Sequence, residues 1–247
     1  MNKLVFFTDP HFCANNGNKL VFESSMEFFE KQFFPYLIDN KIEDCFCLGD
    51  LFDSRSNLDT YILQELHDRF FSWFDKNNIN FHSLCGNHDQ TLKDTNSHHA
   101  LKVAFRGFDF CHYYDTTTKK HFGKYIIGLI PWINKISDFE IPTGCDVLLM
   151  HPEFTGYQMV KGIDCKKGLS LAEFQKHAKI VLAGHFHLQN LPYIGTPYQK
   201  DWNDFDSKKG FWTLDDNFDL TFHENEISPK FLKIYYSQVN GLRVEGL

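Results

Sequence analysis

The chain has 247 residues, 43% of them hydrophobic, which is enough to bury a large core as one domain with or without an appendage. Its net charge of −7 supplies no global basic field, so any attraction to nucleic acid or membrane must come from local patches or bound cations. The seven scattered cysteines form no CxxC pair, and no apolar run approaches membrane-spanning length, which excludes a disulfide framework and a transmembrane anchor.

The chain opens on a strand pattern, Leu4-Val5-Phe6-Phe7, rather than a signal peptide, and reads as soluble and cytoplasmic. That strand ends in Thr8-Asp9-Pro10-His11, where residues two apart in extended chain can converge on one point. Asn15 to Asn18 reads as a polar loop. Val21 to Asn40 then predicts an amphipathic helix with Met26, Phe29, Phe33 and Leu37 on one face. A second strand, Asp44 to Leu48, carries Cys45 and Cys47 on one side as small buried groups and ends in Gly49-Asp50-Leu51-Phe52-Asp53. Ser56 or Asn57 is the expected cap of a helix running to about Lys76, with Ile62, Leu66, Phe70 and Phe74 inward and His67 as a surface or packing histidine.

A third strand, Asn80 to Leu84, leads into Gly86-Asn87-His88-Asp89. A polar loop follows, then His98-His99 before a short helical stretch. Phe108 to Tyr114 and Lys124 to Leu129 predict two strands separated by a polar turn at Asp115 to Lys120. The apolar strand Asp146 to Met150 ends in His151-Pro152-Glu153. Ser170 and Glu173 have the spacing of a capping box that opens a helix through His177. Ile180 to Ala183 ends in Gly184-His185-Phe186-His187, and Leu191 to Gly195, Gly210 to Leu214 and Leu220 to Glu224 complete a strand-rich segment.

Each of these polar turns, taken alone, is ordinary turn chemistry. Their recurrence is what carries information. Five apolar strands end in residues able to hold a cation: Asp9 with His11, Asp50, Asn87, His151, and His185 with His187. Ligands in α/β folds gather beyond the carboxyl ends of strands, so these side chains are expected at one rim. An oxygen and nitrogen set without sulfur suits two ions sharing a carboxylate and favours manganese, iron or zinc. Such paired ions, about 3.5–4 Å apart, activate water and clamp an in-line phosphoryl displacement.

The order D-x-H, GD, GNHD, H, GHxH resembles the calcineurin-like metallophosphoesterases. It stands here as Asp9-Pro10-His11, Gly49-Asp50, Gly86 to Asp89, His151 and Gly184 to His187. Three further stretches, Gly49 to Arg55, Ile130-Pro131-Trp132-Ile133 and Tyr193 to Gln199, with Lys209-Gly210-Phe211, resemble SbcD-type DNA nucleases, phage recombination endonuclease subunits among them. The resemblance implies an α/β class fold, a four-layer α/β/β/α metallophosphoesterase sandwich with mixed sheets. It also implies two manganese ions, and exonuclease and endonuclease activity on DNA in recombination and repair. The implied partners are DNA and a coiled-coil ABC-type ATPase, with a homodimer as an open assembly, no membrane, and the host cytoplasm as location for a phage-encoded chain. Asp9, His11, Asp50 and His187 would hold one ion, and Asp50 (bridging), Asn87, His151 and His185 the other. His88 matches the family's catalytic, non-ligand histidine, which stabilises the transition state or protonates the leaving oxygen, with Asp89 orienting it.

By that resemblance residues 1–227 form the nuclease domain, and residues 228–247 only the approach into a capping domain. Lys161, Lys166 and Lys167, Lys119-Lys120 and Lys208-Lys209 read as solvated loop charges more readily than as phosphate contacts. Two rivals accompany the nuclease reading. One is a calcineurin-like phosphatase or cyclic-nucleotide phosphodiesterase; the other is an inactive regulatory subunit, which the intact donor set disfavours.

Overall fold

The computed structural model describes residues 3–55, 57–134, 139–237 and 241–245. Ser56, one of the two expected helix caps, lies outside the described residues, as does part of the 228–247 tail.

Ten strands build two facing sheets. The first combines Leu4–Phe7 (β1), Asp44–Cys47 (β2), Asn80–Leu84 (β3) and Cys111–Tyr114 (β4), all parallel. The second holds Thr118–Phe122 (β5), Tyr125–Ile130 (β6), Cys145–Met150 (β7) and Ala178–Ala183 (β8), with β6, β7 and β8 parallel and β5 antiparallel. Gly210–Leu214 (β9) and Leu220–Glu224 (β10) return to the first sheet as an antiparallel pair against β1. The orders are β10-β9-β1-β2-β3-β4 and β8-β7-β6-β5.

Period-two alternation decides the layers. Leu4 and Phe6 of β1 face the second sheet, in one cluster with Phe46, Leu84, Tyr125, Ile127, Val147, Leu149 and Trp212. Val5 and Phe7 face the other way, onto the long helices. The far side of the second sheet is covered by a thinner layer around Phe154 and Phe174, the latter on the short helix Leu171–Gln175. The result is the expected α/β/β/α sandwich with mixed sheets. Phenylalanine is abundant because the helix layer is built from it: Phe29 meets Phe7, Phe12, Phe28, Phe33, Phe34 and Phe70, mostly edge to face. Each such ring contributes about 1.5–3 kcal/mol by burial alone.

Both long helices keep their predicted inward faces; Met26, Phe29, Phe33 and Leu37, and Ile62, Leu66, Phe70 and Phe74, are all fully buried. Each widens into a π-helical turn midway, at Phe29–Phe33 and Leu66–Phe71. In the first, the wide turn ends at Phe33, two residues before Pro35, which has no N–H for the regular ladder. The second helix is capped by Asp59, whose carboxylate accepts from Tyr61 and Ile62, and not by Asn57. His67 packs its ring on Phe71 and Phe108, as a packing histidine should.

Other elements differ from the sequence reading. The loop after Asp89 is a hairpin, Gln90–Leu92 with Thr95–His99, tied by Gln90 and Asn134 to Asn96. The polar turn at Asp115 to Lys120 holds the start of β5, because this is where the chain leaves one sheet for the other. Asn15 and Asn16 adopt left-handed backbone within a single turn, Ala14–Gly17. Ser170 stands at the helix start, yet its side chain makes no capping bond. Leu191 to Gly195 is not a strand: Leu191–Pro192 is cis, and only Tyr193 bridges Ala183 and Asn190. All seven cysteines are free and buried, Cys45 and Cys47 within the helix-facing core.

Candidate metal centre

Parallel strands deliver their carboxyl ends to one edge, and within each sheet the neighbouring turns are laced together there. Asp9 N–H donates to Gly49 O (3.1 Å), His11 N–H to Asp50 O (3.2 Å), His151 N–H to Ile130 O (3.1 Å) and Gly184 N–H to Met150 O (2.9 Å). The glycines permit this closeness. A methyl group on Gly86 would lie 2.1 Å from Asp50 Oδ1, and one on Gly49 2.3 Å from His151 Nδ1. The chain also turns sharply: Asp9, His11, Asp50 and His185 all have positive φ, at 52°, 47°, 51° and 85°. Non-glycine residues held there store backbone strain, which clusters at functional sites.

All seven expected donors meet at this rim. Around Asp9, His11 Nε2 lies 3.7 Å and His187 Nε2 3.9 Å from Oδ1. Around Asp50, His151 Nε2 lies 3.4 Å from Oδ1 and 3.3 Å from Asn87 Oδ1. His185 closes the second group, with ligand atoms of Asp50, His151 and His185 all within 4.8 Å of one another. Asp50 Oδ2 is 3.8 Å from His11 Nε2, so its two oxygens address the two groups separately. Asp9, Asp50 and His151 are buried, where unpaired charge is costly, and Asp9 Oδ1 is a buried oxygen with no hydrogen-bond partner. An orphaned carboxylate oxygen ringed by imidazole nitrogens fits a cation.

Burial works against charge at both carboxylates, but the facing imidazoles win. His151 foremost among them holds Asp9 and Asp50 well below the usual carboxylate range. His151 answers in kind: burial lowers it, yet Asp50 and Asp9 raise it to about 9. His187 is pushed well down, by burial and then by the nearby Lys200 charge. His151 Nδ1 donates to Leu48 O at 2.6 Å, which fixes the tautomer and presents Nε2 to the site.

His88 stands beside the donors. Its backbone N–H donates to Asp50 Oδ1 (2.8 Å) and its Nδ1 engages Asp53 O (2.7 Å). Asp89 does not orient it. Its carboxylate instead accepts from the backbone of Gly86 (2.9 Å), Phe52 (3.0 Å) and Leu51 (3.4 Å), stitching the β2 and β3 turns together. Burial and the adjacent Asp50 raise Asp89 to about 7.

Three side chains at the rim were not singled out by the sequence. Asp53 Oδ1 lies 3.3 Å from His11 Nδ1, and the signal available was its spacing three residues after Asp50. Glu153, two after His151, lies 3.2 Å from His185 Nε2. Lys200 reaches within 3.7 Å of Asp53 Oδ1. Lys209 is not a solvated loop charge either. It is buried, donating to Asp204 Oδ1 (2.5 Å) and to His187 O (2.8 Å), which anchors the His187 loop.

The fold and the donor set are similar to those expected of metallophosphoesterase-type proteins. The chain is 30% identical over 200 residues to Exonuclease subunit 1 of Enterobacteria phage T4. That match covers 77% of this chain and 58% of the relative, so the chain spans little more than half the relative's length. No family model matches the chain. One solved structure superposes with a TM-score of 0.50 at 7% identity, covering 91% of this chain and 99% of the other, a likeness of fold alone. The nuclease MPE of Pseudomonas putida aligns over 62% of this chain and 63% of its own at 15% identity and a TM-score of 0.36, too loose to carry an argument.

Proposed function

We propose that the chain is a two-metal-dependent DNA phosphodiesterase that cleaves at DNA ends, as exonuclease and endonuclease, in recombination or repair. The observation that carries this reading is Asp50, whose two oxygens face His11 and His151 from the midpoint of two donor groups. The name of the phage relative, an exonuclease subunit, supports nuclease over phosphatase or cyclic-nucleotide phosphodiesterase. It also favours a partner-bound assembly, for which a coiled-coil ABC-type ATPase is the proposal. Residues 1–227 would be the catalytic unit, and residues 228–247 the approach to a cap.

Asp9, His11, Asp50 and His187 would hold one cation, and Asp50, Asn87, His151 and His185 the second. Bound there, two Mn²⁺ ions would supply Lewis acidity toward the phosphodiester and lower the pKa of water at neutral pH. The protein's own work is positional. Leu48 O aims His151, and Glu153 on Nε2 of His185 would leave Nδ1 of that ring for the site. His88, held through Nδ1 by Asp53 O, keeps Nε2 to donate a proton to the departing 3′-oxygen. The test is degradation of end-labelled duplex and single-stranded DNA in Mn²⁺, beside p-nitrophenyl phosphate and cyclic nucleotides. Turnover of the small esters without DNA cleavage would overturn the nuclease assignment in favour of the phosphatase.

A further inference from the structure

A cavity of about 450 Å³ opens beside the metal centre and shares His11 and Lys200 with it. Its floor is apolar: Phe12, Phe22, Ile62 and Tyr198, all buried. Its wall is the first turns of the helix Lys19–Phe28, with Val21 and Ser24 on the cavity side. The floor is firmly set. Tyr198 Oη donates to Pro10 O at 2.6 Å, and Asn18 caps the wall helix through Leu20 and Val21.

Lys200 stands at the boundary between cavity and metal centre. It is largely buried, with a side chain 12% exposed, and its only ion pair among the described residues is with Asp53 at 3.7 Å, too long for a hydrogen bond. With Asp53 too far for a hydrogen bond, the Lys200 ammonium keeps its donors available to an anionic acceptor arriving from the cavity side. Asn15, exposed, and Ser24, half-buried, line the cavity with polar groups that make no side-chain hydrogen bond among the described residues. An apolar slot with a few polar groups, entered past a cation and a metal centre, matches one kind of occupant: a planar, hydrogen-bonding ring covalently tied to a phosphate. A free apolar segment of protein would give Lys200 no hydrogen-bond acceptor.

We propose that this cavity seats the unstacked base of the nucleotide adjoining the scissile phosphate, with Lys200 contacting a phosphate oxygen of that nucleotide. The proposal rests on the nuclease reading above and adds the subsite that places the strand end. The bound base gains contact with Phe12, Phe22 and Tyr198, and base–aromatic contact is sequence-tolerant because every base has an apolar face. Lys200 then acts as a positioning residue, setting the strand so that the phosphate next to the seated base lies over the donors.

Two variants test it, Lys200→Met and Val21→Trp, the second filling the cavity from its helical wall. Binding of a single strand carrying 2-aminopurine at its end is followed by fluorescence in chelator. Turnover of the same strand in Mn²⁺ is compared with one whose end nucleotide is abasic. For the wild type, the abasic end raises KM at least tenfold and the 2-aminopurine signal shifts on binding. Val21→Trp abolishes both the shift and the preference for a base. Lys200→Met weakens binding to both strands alike and flattens the dependence of log Kd on log salt by about one. Should both variants melt like the wild type while cleaving DNA with the base preference intact, the subsite is wrong and the nuclease reading stands. An absence of DNA cleavage in the wild type, with small esters still hydrolysed, refutes the nuclease reading instead. If Val21→Trp fails to melt cooperatively, Ser24→Trp fills the same cavity and the same outcomes decide.

Discussion

His11 Nε2 and His187 Nε2 face each other at 3.1 Å, although one follows the first strand of one sheet and the other the last strand of the second. Two imidazole nitrogens at that separation share a proton or share a cation. The Asp9 carboxylate beside both, with one orphaned oxygen, favours the cation. The candidate metal centre therefore spans the seam between the two sheets.

Calorimetric titration of chelator-stripped protein with Mn²⁺ is expected to give two sites per chain. Asp50→Ala should lose both, since its two oxygens address both donor groups. His187→Ala should weaken mainly one, because an imidazole reaches a single ion. An Asp50→Ala protein that still binds two ions would remove the bridging role.

His88→Asn should leave both ions and the melting temperature unchanged while turnover falls by about 10²–10⁴-fold, the usual weight of general acid catalysis. The expectation follows from Asp53 O occupying Nδ1, which leaves Nε2 for substrate. Metal content, melting and single-turnover rate on one preparation decide the matter. Loss of metal together with activity would make His88 a ligand.

Gly86→Ala should be among the most damaging small substitutions in the chain. The added methyl would lie 2.1 Å from Asp50 Oδ1 and 2.3 Å from Asp50 N, and backbone cannot step aside as a side chain can. A loss of about 3 kcal/mol in denaturant unfolding is expected from overpacking of this kind. Mn²⁺ affinity should fall with it, because the same methyl displaces the shared carboxylate. A variant with native stability and affinity would show that the two turns can separate.

Stability should decline as pH falls below about 6.5, the ordinary value for histidine. Burial lowers His82, and likewise His99, His112 and His223, so each binds fewer protons folded than unfolded as pH falls past that value. Asp89, raised to about 7, opposes the trend in the same window but is one group against four. A depressed folded pKa gives stability that is present above the unfolded value and lost as pH drops through the folded one. His82, in the middle of β3, lies between Asp44 Oδ1 and Tyr114 Oη, each at 3.0 Å. His82→Gln retains a hydrogen-bonding group there and should flatten the slope of melting temperature between pH 7 and 5. An unchanged slope would assign the effect to the other histidines.

Much of this protein was written locally. Strands that end in glycine turns bearing Asp50, Asn87 or His185 are legible because period two and turn chemistry are properties of neighbouring residues. The inward faces of the two long helices were legible for the same reason, at period 3.6. What sequence could not supply is any relation that depends on which turn lies against which. Asp89 looks like a partner for its neighbour His88, but packing of the β2 and β3 turns gives its oxygens to three backbone N–H groups instead. Asp53, Glu153 and Lys200 are unremarkable charges in sequence, and become part of the rim only because their loops fold over His11 and His185. Lys208 and Lys209 are adjacent and alike on paper. One pairs with Glu224 at the surface, and the other is buried between Asp204 and the His187 carbonyl, because β9 enters the first sheet at that point and carries its first residues beneath the His187 loop. Burial is decided by the whole chain, and it is burial that turns an ordinary charge into a fixed one.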